Sequence, residues 1–363
     1  MAPSPELLTA LQRLDLGRPP PEGCWVDGAA RAWGEPERLR VLLAAGQRFR
    51  IGLHGPLGSG KSSELERWRG ALEGVANVSV ARLEGAAQSG VGVWVAALSA
   101  GLAALPAGPV ASGVREQLSR LLSEAQQGLA QGLGALHTRV IAQQAPVYLA
   151  NVEALSGKPL LLLLDALDLL PPEEADTLLG PNGTLLDPGL PALVVTVPHA
   201  WALERPAAQR HRSLDTLLHL PPFPVFDRQG RADPAVVSAL ADGLARRLGG
   251  VGLVAGGVEL LERVALSSGG VPRHAVQILR QAVLRAALGG GKVDLAGVIE
   301  GERELRQDLE ESARNRLPQL VAFRDGGTHQ RDVGLVLANV ILGYEGAEGR
   351  YYLLHPLLRS MFP

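Results

Sequence analysis

Residues 48–68 read Arg-Phe-Arg-Ile-Gly-Leu-His-Gly-Pro-Leu-Gly-Ser-Gly-Lys-Ser-Ser-Glu-Leu-Glu-Arg-Trp, and they constrain the fold more than any other stretch. Phe49, Ile51 and Leu53 alternate as in a short strand. Gly55, Pro56, Leu57, Gly58, Ser59, Gly60, Lys61 and Ser62 then match G-x-x-x-x-G-K-[ST] in full. Leu65, Trp68 and Leu72 follow at helical spacing. A strand, a glycine-rich loop and a helix therefore succeed one another in the order this motif requires.

Glycines let such a loop take positive φ and approach a ligand closely. Successive N–H groups at the helix N-terminus make a nest for anionic oxygens. From Gly55 to Ser63 the loop is the candidate cradle for a nucleotide. Lys61 is expected to reach its β- and γ-phosphates, and the Ser62 hydroxyl to ligate Mg2+. Lys61, Lys158 and Lys292 are three lysines among 35 basic residues, so a lysine here stands out against an arginine-rich background. The alternative is a strand-to-helix turn that merely contains Lys-Ser.

Along the chain, Ser4 and Pro5 open a helix over 4–15, with Gly17 beyond its end. A break at Pro19–Pro21 and Trp25-Val26-Asp27 precede a helix over about 36–46, and Val78 and Val80 mark a strand. Residues 89–157 read as a large helical insert, with Leu118, Leu121 and Leu122 at i, i+3, i+4 and Leu129, Leu133 and Leu136 continuing. Within 86–114 there is no charge, which raises a membrane span. Pro106, Pro109 and many Ala and Gly residues favour a buried helix over 90–105 followed by a loop.

Leu160–Leu164 is a continuous apolar run that closes on Asp165, the pattern of a central parallel strand buried on both faces. Ala192–Val197 is a second such run with Thr196 near its end, and Leu217–Leu220 a candidate last strand. Alternating strands and helices imply an α/β domain with a parallel sheet. After Pro221-Pro222-Phe223-Pro224 the chain reads as helices over 234–248, 257–267, 272–288 and 295–315. Val340–Tyr344 and Arg350–Leu354 then form a hairpin. The expected organisation is an N-terminal helix and linker (1–24), a P-loop α/β domain (25–227), a helical lid (228–290) and a C-terminal helix with a winged-helix-like unit (291–363).

Phosphoryl chemistry places a carboxylate at a strand end beside the loop, and Asp165 is the natural Mg2+ ligand there. Asp168 is either a base for the attacking water or a loop acid capping the next turn. With this set, Asp165-Ala166-Leu167-Asp168 resembles the D-[GAS]-h-D pattern of STAND-type ATPases, signalling relatives of the AAA+ proteins in the additional-strand P-loop class. Gly270-Val271-Pro272 resembles that group's G-x-P motif, whose proline lies against adenine. Arg273 in Gly-Gly-Val-Pro-Arg-His resembles the sensor-2 arginine of origin-recognition AAA+ proteins, and Thr196 matches the sensor-1 position. Trp25-Val26-Asp27 together with 58–65 resembles bacterial stand-alone ATPases. The resemblance implies ATP and Mg2+ as ligands and spans about 25–290. Two departures stand out. Leu169 replaces the further acid of the STAND pattern, and Ala166 replaces the glutamate that follows the first aspartate in AAA+ proteins. For Pro272-Arg273 the alternative is ordinary helix-start chemistry with an exposed arginine.

Net charge of −2 gives no global signal for nucleic acid or an anionic membrane. Cys24 is the only cysteine, so an internal disulfide and a cysteine-rich metal site are excluded. None of the eight histidines shows a His-Glu-x-x-His spacing, and they read as structural. No basic leader is visible at Met-Ala-Pro-Ser-Pro-Glu, so a cytoplasmic location is expected. The sequence thus predicts a regulated ATPase switch acting on a protein partner or separate effector, with a nucleotide-dependent homo-oligomer as a further expectation. Its rivals are an ATP-dependent adaptor with little turnover and a DNA-binding loader that uses Arg280, Arg285, Arg350 and Arg359.

Overall fold

The computed structural model describes residues 4–16, 24, 35–132, 134–180, 183–204, 214–314, 316, 318, 320, 333–346 and 349–361. Gly17, the Pro19–Pro21 break and Trp25-Val26-Asp27 lie outside them. The chain divides into two units. A sheet unit comprises Gly34–His54 and Glu64–His219; a loop unit comprises Met1–Trp33, Gly55–Ser63 and Leu220–Pro363.

In the sheet unit five strands form one parallel sheet: β1 (Arg50–His54), β2 (Asn77–Arg82), β3 (Leu160–Asp165), β4 (Ala192–Thr196) and β5 (Thr216–His219). Their order is β2-β3-β4-β1-β5, every pair parallel. Each residue of β3 and β4 is buried, as continuous apolar runs demand of strands covered on both faces. β4 lies between β1 and β3.

The insert is three helices, Gly90–Ala104, Ser112–Ala130 and Gly134–Ser156. Val91, Trp94 and Leu98 of the charge-free stretch are fully buried, with Leu118, Leu121 and Leu149 in the same core. Its lack of charge reflects burial in protein. Among the described residues no helix is long and apolar enough to cross a membrane.

The loop unit is mostly helical. Ser4 caps the helix Pro5–Arg13 by accepting from the Leu7 N–H. Helices Pro234–Leu248, Gly257–Ser267, Pro272–Gly289 and Leu295–Arg314 follow, with boundaries within a residue of those read from periodicity and caps. Arg263 grips Glu302 through two hydrogen bonds of 2.9 and 2.7 Å, and the Ser267 hydroxyl donates to the same carboxylate at 2.6 Å. Strands β6 (Ile341–Gly346) and β7 (Gly349–Leu354) form the expected antiparallel hairpin. Its Leu342 and Tyr344 pack with Phe223, Val225 and Val271. The winged-helix-like reading also needs residues 321–332, which lie outside the described residues. With its parallel sheet and helical C-terminal part, the chain has the α/β fold of P-loop NTPases.

Candidate phosphate-binding site

β1 ends at His54, the loop occupies the next six residues, and the helix Lys61–Leu72 begins at the motif lysine. Gly58 (φ +81°) and Gly60 (φ +95°) are left-handed, a conformation costly for residues with a Cβ. The Lys61 side chain is 6% exposed, and its ammonium donates to the carbonyls of Gly55 at 2.9 Å and Pro56 at 3.2 Å. Phosphate oxygens would make stronger, charge-assisted hydrogen bonds to this ammonium than neutral carbonyls do. Leu65, Trp68 and Leu72 are buried, and Glu64 accepts from the Trp68 indole N–H at 2.8 Å, fixing the helix beyond the loop.

Pro272 and Arg273 are brought to this loop within the same unit. Gly269 (φ +62°) and Gly270 (φ +74°) make a left-handed turn ahead of Pro272, the first residue of its helix. A Cβ on Gly270 would lie 2.0 Å from the Phe223 carbonyl oxygen. The turn is held by the Phe223 N–H donating to the Gly270 carbonyl (2.9 Å) and the Tyr344 hydroxyl donating to the Gly269 carbonyl (2.8 Å). At the helix start the Arg273 N–H donates to the Gly58 carbonyl at 3.2 Å.

Asn339 completes the surround, and sequence reasoning missed it. It is buried at φ +57°, and its amide donates to the Leu57 carbonyl at 2.9 Å. An Asn ahead of a strand signals a left-handed turn residue, but nothing local joins it to a loop 282 residues away. Directly after Arg273, His274 is buried against His355, with Nδ1 and Nε2 3.2 Å apart. Burial, and then the Arg273 charge, lower the His274 pKa to about 4. Burial and His274 hold His355 well below its usual range.

Asp165, Asp168 and Thr196 belong to the sheet unit. Asp165 is buried at the carboxyl end of β3, and Thr196 is fully buried at that of β4. The register Leu164↔Val195 sets them at the carboxyl ends of two adjacent interior strands. Among the described residues the Thr196 hydroxyl oxygen has no hydrogen-bond partner. Ala166, at the position where AAA+ proteins carry glutamate, is left-handed at φ +69°, and its carbonyl accepts from the Gln88 amide at 2.7 Å. The chain turns there into the short helical turn Leu167–Leu169, leaving Asp168 half-buried and Leu169 exposed.

Three of the histidines, read from their spacing as structural, are brought together by the fold. His54, His199 and His219 converge, one ring nitrogen from each lying within 4.8 Å of the others. The Nδ1 atoms of His54 and His199 are 2.9 Å apart.

No family model matches the chain, and no curated protein matches it in sequence. Among solved structures it is similar to the Aeropyrum pernix ORC2 protein in ADPNP–ADP complexes, at 17% identity and TM-score 0.49, over 95% of this chain and 93% of that one. It is also similar to Cdc6p from Pyrobaculum aerophilum, at 13% identity and TM-score 0.46, over 94% of each chain. A third is the Thermotoga maritima RuvB Holliday junction branch migration motor, at 12% identity and TM-score 0.42, over 90% of this chain and 93% of that one.

Proposed function

We propose that the protein is a Mg2+-dependent ATP-binding switch of AAA+ or STAND type that turns ATP over and passes its nucleotide state to a partner. The observation that carries this is the loop: a full motif match with Gly58 and Gly60 left-handed, and Lys61 opening the helix with its ammonium on the loop's own carbonyls. When bound, Mg-ATP supplies the phosphoanhydride whose hydrolysis resets the switch. Gly55–Ser63 would hold the phosphates, Lys61 would meet their charge, and Ser62 and Asp165 would be the residues that supply oxygen ligands to Mg2+. As the resemblance implies, Pro272 would pack against the base and Arg273 would read the terminal phosphate. Asp168 would accept a proton from the attacking water, and the Thr196 hydroxyl, buried without a partner among the described residues, would donate to the reacting group.

The output runs through contacts inside the loop unit. Leu57 and Gly58 are tied to Asn339 and Arg273, and the turn ahead of Arg273 is tied to Tyr344 of the hairpin. A change in the loop backbone therefore reaches β6 through two hydrogen-bonded links. The adaptor reading has two supports, the methyl side chain of Ala166 where AAA+ proteins carry glutamate and Leu169 where the STAND pattern carries a further acid. Of the arginines in the loader reading, Arg285 pairs with Glu300 at 2.8 Å on the surface and Arg359 lies 4.4 Å from the Phe226 ring centroid.

Thermal melts test the binding. ATP with Mg2+ at about 100 times Kd adds roughly 2.7 kcal/mol of stability, GTP adds far less, and Lys61→Ala removes the shift. Equal shifts with GTP refute the adenine assignment. Single-turnover phosphate release indistinguishable from the Lys61→Ala blank decides for the adaptor.

A further inference from the structure

We infer that His54, His199 and His219 form a binding site for a divalent transition metal of the zinc class, separate from the Mg2+ site proposed above. Three adjacent strands place them. His54 is the last residue of β1 and His219 the last of β5, and the two are direct partners in the parallel register. His199 opens the short helix His199–Glu204, three residues beyond the end of β4, the strand on the other side of β1. The carboxyl ends of β4, β1 and β5 thus each deliver one imidazole to the same place.

The geometry is close to that of a three-histidine centre. Ring centroids lie 5.1 Å (His54–His199), 4.9 Å (His54–His219) and 5.6 Å (His199–His219) apart. Candidate ligand nitrogens fall within 4.8 Å of one another. Zn–N bonds of about 2.0–2.1 Å in a tetrahedron put ligand nitrogens about 3.3 Å apart, so small ring rotations suffice. The His54–His199 Nδ1 pair, at 2.9 Å, already lies inside that spacing.

The donor set selects the metal. Among the described residues the donor set is three imidazoles, which suit zinc, cobalt, nickel or copper and disfavour magnesium and calcium, which take oxygen ligands. His54 and His199 are buried and His219 half-buried, so the cluster is shielded on one side and open on the other. A fourth, exchangeable ligand such as water enters from the open side. The metal cross-links three strand ends. It also fixes the backbone at His54, the residue bonded to Gly55 at the start of the phosphate loop.

The test uses the full chain without an affinity tag, stripped with EDTA and titrated with Co2+ and then Zn2+. One equivalent of Co2+ should bind with the intense visible d–d absorption of a four-coordinate centre, and Zn2+ should displace it. His219→Gln, at the half-buried position, should weaken binding by at least about 100-fold while the far-UV circular dichroism stays that of the wild type. The imidazole 15N resonances of three histidines should shift when the wild type takes up Zn2+, a reading that depends on no variant. Absence of stoichiometric binding, a weak six-coordinate spectrum, or retention of binding in both His219→Gln and His199→Gln overturns the assignment. Nucleotide is absent throughout, so the outcome is independent of the ATP reading.

Discussion

The backbone N–H of Arg273 donates to the carbonyl oxygen of Gly58 over 3.2 Å, and a Cβ built on Gly58 would stand 2.4 Å from the Arg273 Cβ. The start of the Pro272–Gly289 helix therefore rests on the phosphate loop itself, backbone to backbone. Gly58→Ala meets two penalties, the left-handed φ of +81° and this overlap. Its cost should be about 1–3 kcal/mol from the backbone conformation, with more from displacing Arg273. The unliganded melting temperature should fall and the ATP-dependent shift should vanish. A variant that melts and binds ATP like the wild type would show that loop and helix are not in contact.

Asn339→Gly retains the left-handed backbone at φ +57° and deletes the amide that holds the Leu57 carbonyl. Loss of one such hydrogen bond should cost about 1 kcal/mol. The larger effect should be on coupling: ATP should protect the 341–354 hairpin from protease less than in the wild type. Unchanged protection would make Asn339 a turn residue only.

The strand-end residues should separate by readout. Asp165→Asn should weaken Mg-ATP binding and turnover together. Asp168→Asn should leave affinity nearly intact and slow hydrolysis by about 10²–10⁴-fold, the range for a general base. Thr196→Val replaces a buried, unpartnered hydroxyl with a methyl of similar shape. Stability should therefore hold or rise by up to about 1 kcal/mol, while turnover falls. Titration calorimetry, phosphate release and melts on the same preparations give all three quantities. Wild-type turnover in Asp168→Asn removes it as the base, and wild-type turnover in Thr196→Val removes the sensor role.

Stability should fall on mild acidification. His274 has a pKa lowered from 6.5 to about 4 by burial. Above pH 6.5 the folded and unfolded forms both leave it neutral. Below that, the unfolded chain takes up a proton that the folded chain refuses until about pH 4. Stability is thus full above pH 6.5 and is lost as pH falls, by about 3 kcal/mol over the whole window for this residue. His355 acts in the same direction. Denaturant melts across that range should show the loss, and His274→Gln should flatten it. Equal slopes in wild type and variant would mean that the buried neutral pair does not form.

The amino-acid sequence by itself determined the secondary-structure elements and the phosphate-loop motif. The strand–loop–helix at 50–72, the buried run closing on Asp165, the Asp233-capped helix 234–248 and the helices 257–267 and 272–289 rest on signals within a few residues of one another. Periodicity, caps and glycine at left-handed positions act at that range, so they can be read directly. The charge-free stretch around 90–104 was legible as a buried helix for the same reason. Tertiary structure alone decided the partners. Asn339 meets Leu57 across 282 residues. Arg273 reaches Gly58 only because Gly269 and Gly270 turn left-handed against Phe223 and Tyr344. His54, His199 and His219 show no metal-ligand spacing in the chain, and they converge because β4, β1 and β5 are neighbours in the sheet. Strand order depends on which apolar faces pack together, a long-range property carried by no local pattern.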